Sequence, residues 1–174
     1  SRNFLFYVFG SYLESEIKND VQGGVCSLSS GVVQNQQFGC TATNIGQPFF
    51  YETAGKRESG APVWSVGGRV QATFGPLEIG AQVKHTGERF INDENRPIVG
   101  FDASVDPYTL VDVDVRYNLG ELGFGREASI QLNLTNLFDE LYVGGFGGSL
   151  DRTQSPFVQI GPPRAGTLSL VIGY

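Results

Sequence analysis

The stretch that decides the fold is WSVGGRVQATF, residues 64–74. Every second residue in it, from Trp64 through Val70 to Phe74, is apolar or small, and the residues between them are polar or glycine. Alternation over this length is typical of a β-strand whose two faces meet different surroundings. Four further stretches repeat it: 77–84, 109–118, 129–135 and 167–174. The chain shows no run with the 3.6-residue spacing of an amphipathic helix.

The sequence therefore predicts an all-β, antiparallel chain of six long strands. Their expected bounds are 3–14, 63–74, 77–89, 108–119, 128–139 and 166–174. Long loops are expected at 15–62, 90–107 and 141–163, with short connections between them. Long and short connections that alternate in this way are typical of a transmembrane up-and-down β-barrel, in which one rim carries the loops and the other the turns.

The length of the deciding strand agrees with a membrane barrel. Trp64 and Phe74 lie on one face, and ten residues at ~3.3 Å each make a strand of roughly 33 Å. Tilted by about 40°, such a strand spans roughly 25 Å of bilayer. The aromatic residues at both ends suit the two membrane interfaces. A soluble β-sandwich or adhesin-like domain would also alternate, and it is the alternative outside the membrane.

Composition excludes several classes of protein. Of the 174 residues, 40% are apolar and 17% are charged, which is too hydrophobic for a disordered chain. The longest wholly apolar run, Phe4 to Phe9, has six residues and is too short for a membrane-spanning helix. A net charge of −6 disfavours a nucleic-acid partner. Because the chain has no methionine, it is expected to be a processed or partial product of a longer protein.

Catalytic, metal and cofactor sites are not predicted. The single histidine, His85, cannot build a multi-histidine metal site, and its register places it on the apolar face near the loop end of its strand. The glycine-rich run 144–148 follows a strand but precedes no helix, so it is expected to be a flexible loop rather than a phosphate loop. An outer-membrane enzyme barrel would need a nucleophile, a histidine and an acid, which the sequence does not bring together.

Cys26 and Cys40 lie in the longest predicted loop, which would face an oxidising exterior. A disulfide that closes about 15 residues stabilises a fold by ~3 kcal/mol in the chain-entropy model. We expect this disulfide, and two free thiols are the alternative.

Five charged residues are expected to face the barrel lumen, because they occupy the polar positions of their strands: Arg69, Lys84, Asp112, Asp114 and Arg116. The last three form a column at i, i+2 and i+4, and Arg69 could face that column from another strand. They are candidates for contact with a solute or a plug. Solvation of the lumen and cross-strand ion pairing are the alternative roles.

The run Asn136-Leu137-Phe138-Asp139, followed by Tyr142, resembles a signature on the penultimate strand of TonB-dependent outer-membrane receptors. Residues 107–112 resemble the preceding strand of these receptors. The alternating residues Leu168, Leu170, Ile172 and Tyr174 resemble their last strand, which the barrel-assembly machinery reads as a signal. Physically, an edge strand with a regular apolar face and a terminal aromatic suits β-augmentation.

The resemblance implies that residues 1–174 are the C-terminal part of a larger barrel of about 22 strands that encloses a plug. Six strands cannot close, since the smallest membrane barrels have about eight. The implied function is TonB-energised uptake of a scarce large solute across the bacterial outer membrane, such as an iron chelate, a vitamin, a glycan or a peptide. The implied partners are the rest of the barrel with its plug, the TonB complex, the assembly machinery and lipopolysaccharide. A passive porin is the alternative within the membrane.

Overall fold

The computed structural model describes residues 3–98, 100–121, 127–147 and 157–173. One six-stranded antiparallel sheet dominates it. Its strands are arranged in chain order, so that each inner strand pairs with the sheet strands before and after it and each outer strand has one partner. The strands are β1 (Phe4–Tyr12), β2 (Trp64–Phe74), β3 (Leu77–Thr86), β4 (Tyr108–Glu121), β5 (Glu127–Thr135) and β6 (Ala165–Ile172). The predicted all-β, antiparallel fold class is confirmed, and the six strands form an open sheet.

The register of the sheet separates an apolar face from a polar face. Val70 on β2 lies opposite Phe6 on β1 and Ala81 on β3, and all three belong to the apolar face. Phe6 is 77% exposed and Val70 is 47% exposed. The next position, Arg69, lies opposite Tyr7 and Gln82 on the other face. An exposed apolar surface of this extent is typical of a face that meets lipid or a partner.

The sheet has almost no buried core of its own. Of the apolar residues that are buried in the described part of the chain, only Ala128 lies in the sheet. The others are Cys26, Cys40, Phe49 and Ile91, and all of them lie in the connecting loops. The sheet therefore depends on surroundings outside these six strands for the burial of its apolar side chains.

The structure corrects several predicted strand ends. The fifth strand was expected to reach residue 139 but ends at Thr135, because Asn136 takes a left-handed conformation with φ 49°. The third strand was expected to reach residue 89 but ends at Thr86. At Gly87 a Cβ would lie 2.7 Å from the Trp64 carbonyl oxygen, and this close approach of the two backbones favours glycine.

Other strand ends differ by smaller steps. The fourth strand continues past residue 119 to Glu121, with an irregularity in its pairing between Asn118 and Gly120. The first strand spans Phe4–Tyr12, and the last strand ends at Ile172. Tyr174, the predicted end of the last strand, lies outside the described residues.

The loop predicted at 15–62 is not a plain polar connection. In the structure the first loop, residues 13–63, contains the strand pair Val21–Val25 and Pro48–Tyr51, the pair Leu28–Ser29 and Val32–Val33, and a 3₁₀ turn at Gln36–Phe38. Phe38 stacks on Phe49 with ring centroids 5.3 Å apart, next to Cys26 and Cys40. The loop folds because it can bury this small aromatic core.

The other two long loops also contain short strands. In the second loop, residues 87–107, Arg89–Phe90 pairs with Ser104–Val105. In the third loop, residues 136–164, Val143–Phe146 pairs with Val158–Ile160. The glycine-rich run predicted as a flexible loop thus begins inside a strand, and its last residue, Gly148, lies outside the described residues. No helix in the described part of the chain has the length and apolarity needed to cross a membrane.

Candidate functional site

The disulfide of the first loop joins Cys26 to Cys40, with their Cα atoms 5.4 Å apart. Both cysteines are nearly fully buried, and they pack against Phe49. The two cysteines are 14 residues apart in the sequence. The bridge between them holds both ends of this segment against the aromatic core of the loop. A bridge over this length stabilises a loop by ~3 kcal/mol in the entropy model.

The second loop is fastened to the first by side chain to backbone hydrogen bonds. Asn95 takes a left-handed conformation, and its side chain accepts a hydrogen bond from the Arg57 amide and donates one to the Arg57 carbonyl, both at 2.8 Å. The carboxylate of Asp93 accepts a hydrogen bond from the Ser59 amide at 2.7 Å. An ion pair joins Arg96 to Glu52. The polar run at 92–96 thus attaches the second loop to the first, a role that its composition alone does not indicate.

Two polar residues of this segment are completely buried. Glu94 is 0% exposed, and one of its carboxylate oxygens accepts a hydrogen bond from the Glu52 amide at 3.3 Å. Asn92 is 1% exposed, and its amide group bonds both the amide and the carbonyl of Arg96. Buried polar groups stay favourable when they are bonded in this way. The first and second loops therefore form one ordered body.

Arg89 joins the second loop to the third. Its guanidinium is buried and donates hydrogen bonds to the carbonyl groups of Val143 and Gly144. The same group lies 5.4 Å from the ring centroids of both Tyr108 and Phe146. Cation–π contacts stabilise a cation in such surroundings, more strongly when it is desolvated. No sequence pattern indicates this residue, because its partners lie about 20 and 55 residues further along the chain.

The polar face of the sheet contains an ion pair that crosses a strand. Arg69 on β2 donates two hydrogen bonds to the carboxylate of Asp114 on β4, at 2.6 and 3.0 Å. The intervening residue on β3 is Gly80, where a Cβ would lie 2.3 Å from an Arg69 nitrogen and 2.7 Å from the Asp114 oxygens. Gly80 therefore provides the space through which the pair connects two strands that are not neighbours.

The remaining predicted lumen residues make separate contacts. Asp112 accepts a hydrogen bond from the Asn136 amide at 2.9 Å, and Arg116 donates one to the Ser129 hydroxyl at 3.2 Å. Lys84 is exposed and makes no ion pair with any residue that the structure describes. The structure thus brings Arg69 and Asp114 together and leaves the other three candidates in different surroundings.

The Asn-Leu-Phe-Asp motif forms a turn, which corrects its predicted place on a strand. Asn136 is buried; its side chain accepts a hydrogen bond from the Glu140 amide and donates to the carbonyls of Glu140 and Pro162. Asp139 accepts a hydrogen bond from the Arg164 amide at 2.8 Å. The motif fastens the end of β5 to the segment that leads into β6. Phe138, which is 73% exposed, takes no part in these bonds.

Tyr142, the last residue of the resemblance, lies in the third loop against Tyr108, with ring centroids 4.4 Å apart. Its ring also covers Gly161, where a Cβ would lie 2.1 Å from the ring. Burial raises the pKa of Tyr142 above the ordinary value of 10, and the neighbouring Tyr108 and Asp112 raise it further. The Tyr142 hydroxyl is therefore neutral, and the Tyr142 ring forms a fixed aromatic wall between the second and third loops.

His85 lies on the apolar face at the loop end of β3. Its ring stacks on Trp64 at 4.5 Å, and its Nδ1 is 2.8 Å from the Thr109 hydroxyl. A recess of about 410 Å³ runs below it on the same face, lined by residues such as Val66 and Val83. The predicted assembly-signal residues Leu168, Leu170 and Ile172 are also exposed on the apolar face.

Known structures share this architecture. No protein-family model matches the chain, and no curated protein matches it. The siderophore receptor PiuA from Acinetobacter baumannii aligns with a TM-score of 0.63 and 18% identity, over 99% of this chain. The closed form of the ferric-catecholate import receptor Fiu from E. coli K12 aligns with 0.56 and 16%, over 98%. BauA, the ferric preacinetobactin receptor from Acinetobacter baumannii, aligns with 0.55 and 20%, over 70%.

The matches show the fold. This chain spans only 20% of the PiuA chain, 18% of the Fiu chain and 16% of the BauA chain. It therefore has the fold of one part of these receptors. The resemblance to TonB-dependent receptors that the sequence predicts is confirmed at this level.

Proposed function

We propose that this chain is part of the barrel wall and the extracellular loops of a TonB-dependent outer-membrane receptor, which takes up a scarce large solute. The observation that carries the proposal is the meander of six strands with one exposed apolar face, one polar face and an ordered loop assembly at one end. Siderophore receptors share this fold over nearly the whole chain. In such a barrel the apolar face meets lipid and the polar face lines the lumen.

The ordered loops favour a receptor over a passive porin. A porin needs a water-filled opening, whereas tight capture of a scarce solute needs a surface whose shape is fixed before binding. Here the three long loops are joined by the Asn95 and Asp93 hydrogen bonds and by the buried Arg89, and the disulfide closes a segment within the first loop. The similar proteins are transport receptors, which supports a transport role and not a catalytic one.

The partners follow from the same proposal. The open edges of the sheet at β1 and β6 would pair with the remaining strands of the barrel, since an unpaired backbone group in lipid costs several kcal/mol. A plug would occupy the lumen, and the TonB complex would act through it. The assembly machinery would recognise the last strand, β6, and lipopolysaccharide would surround the outer rim. Nucleic acid is not a proposed partner, because a net charge of −6 would repel its phosphate backbone.

A ferric chelate is the solute that the named functions of the similar proteins support. The test uses the intact receptor, expressed in the outer membrane of bacterial cells with and without TonB. Radio-iron chelates from the culture medium of the source organism, grown under iron limitation, are supplied to both strains. We expect accumulation only in cells with TonB. Equal accumulation without TonB would instead support a porin and overturn the proposal.

A further inference from the structure

A cavity of about 590 Å³ lies between the second and third loops. Its volume is within the range of about 300–1,000 Å³ typical of small-molecule sites. Three aromatic and three acidic residues stand out in its lining: Phe101, Tyr108, Tyr142, Asp102, Asp106 and Glu140. All of them belong to the part of the chain that the structure describes.

The aromatic wall of this cavity is formed in advance. Tyr108 and Tyr142 pack against each other, and the Tyr142 ring is seated on Gly161. The buried guanidinium of Arg89 braces the ring of Tyr108. Glu140 is positioned by two hydrogen bonds between its backbone and the Asn136 side chain. A preformed wall reduces the entropy lost when a ligand binds.

The charge of the lining favours a cation. Asp102, Asp106 and Glu140 are exposed, and none of them makes an ion pair with a residue that the structure describes. No lysine, arginine or histidine belongs to the lining. Arg89, which lies against the ring of Tyr108, is 5% exposed and bonded to backbone carbonyls, so it does not offer its charge to the cavity. Carboxylates and aromatic faces together attract organic cations.

A bare metal ion does not fit these residues. The described part of the chain contains no group of three histidine, cysteine or acidic side chains placed to hold one metal. The three carboxylates are therefore spread around the cavity. A ligand that uses more than one of them must be larger than an ion.

We propose that this cavity binds an amine-bearing, positively charged part of the transported solute. The inference rests on the proposed function and deepens it, because it specifies the charge of the solute. The three carboxylates select the charge, and the aromatic wall contacts the carbon framework next to the amine.

The test uses the intact receptor in lipid nanodiscs and three iron probes with one common core. The probes are a ferric trihydroxamate chelate with a free amine (one positive charge), its N-acetylated form (neutral) and its N-succinylated form (one negative charge). Binding is measured by quenching of intrinsic fluorescence. We expect the amine form to bind more tightly than the succinylated form by about tenfold or more. The acetylated form should have an affinity between the two.

The triple variant Asp102→Asn, Asp106→Asn, Glu140→Gln is expected to bring the three affinities within about twofold of one another. The matched control Glu14→Gln, Glu16→Gln, Glu58→Gln removes the same charge from exposed positions of the first loop and is expected to keep the preference. Equal affinities in the unaltered receptor, a preference that survives in the triple variant, no binding of the amine form, or displacement by Ca²⁺ would overturn the inference. TonB-dependent uptake of a neutral or anionic chelate alongside any of these results would leave the proposed function standing.

Discussion

The sheet and the loop assembly are stabilised in opposite ways. The sheet follows a local, two-residue pattern and leaves its apolar side chains exposed, as at Phe6 and Leu168. The loops bury polar and charged side chains such as Glu94 and Arg89 and hydrogen-bond them to distant parts of the chain. In the proposed barrel the sheet depends on a bilayer for its stability, whereas the loops depend on specific long-range polar contacts. The two regions should therefore respond to different kinds of substitution.

A charge on the apolar face should have the largest effect. Val70→Arg places a cation on the face that would meet lipid, and near the midplane of a bilayer this costs about 2–4 kcal/mol in a barrel. We expect a clear loss of folded receptor in lipid vesicles, measured by heat-modifiable gel mobility. Gln71→Arg lies at the same depth on the polar face and serves as the control. Equal folding yields for the two variants would contradict the assignment of the faces.

Loss of the disulfide should weaken the loops and spare the sheet. A Cys26→Ser/Cys40→Ser variant loses ~3 kcal/mol of loop stability in the entropy model. We expect proteolytic cleavage in the first loop at protease concentrations that leave the unaltered receptor intact, with the same heat-modifiable barrel mobility in both. Labelling of both thiols in the unreduced, unfolded receptor would show that the bridge does not form.

Truncation of the motif asparagine should have a smaller effect. Asn136→Ala removes the acceptor for the Glu140 amide and the donor to the Glu140 and Pro162 carbonyls. Groups left unsatisfied by such a change typically cost about 1–3 kcal/mol. We expect a lower denaturant midpoint and faster hydrogen exchange at 136–147. Phe138→Ala, at an exposed position of the same turn, is the control and should stay near the unaltered value.

The crossing ion pair should give the smallest effect. Gly80→Ala places a methyl group where the Arg69 and Asp114 side chains meet, so their termini must move apart. Both are flexible, and a partly exposed pair is worth about 1 kcal/mol or less. We expect a small loss of stability that does not add to that of Asp114→Asn in a double-mutant cycle. Additive losses would show that Gly80 does not act through the pair.

The strands were predictable because their signal is local. The pattern at 64–74 places the strand within one residue of its observed start at Trp64, and pairing then follows from chain order. The end of β5 was missed because Asn136, which a strand pattern tolerates, leaves the strand to bond Glu140 and Pro162. An alternating pattern of apolar and polar residues does not indicate a side-chain contact of this kind.

The loop assembly and the cavity were not predictable for the same reason. Arg89 is one scattered cation in the sequence, and only the fold brings it to Tyr108 and Phe146. The run 92–96 looks like a solvated polar turn, although Glu94 and Asn92 are buried. Gly80 becomes meaningful only once Arg69 and Asp114 lie on either side of it. Long-range polar contacts leave no periodic trace in a single sequence.

In the proposed barrel, alternate residues of β2 face lipid and the lumen. Spin labels attached to single cysteines at each non-glycine position from 65 to 73 of the intact receptor in bilayers test this arrangement directly, by their collision rates with oxygen and with a water-soluble nickel chelate. We expect high oxygen access at Val66, Val70 and Ala72, and high nickel access at the odd positions. A profile without this two-residue period, or one with the two sets exchanged, would contradict it.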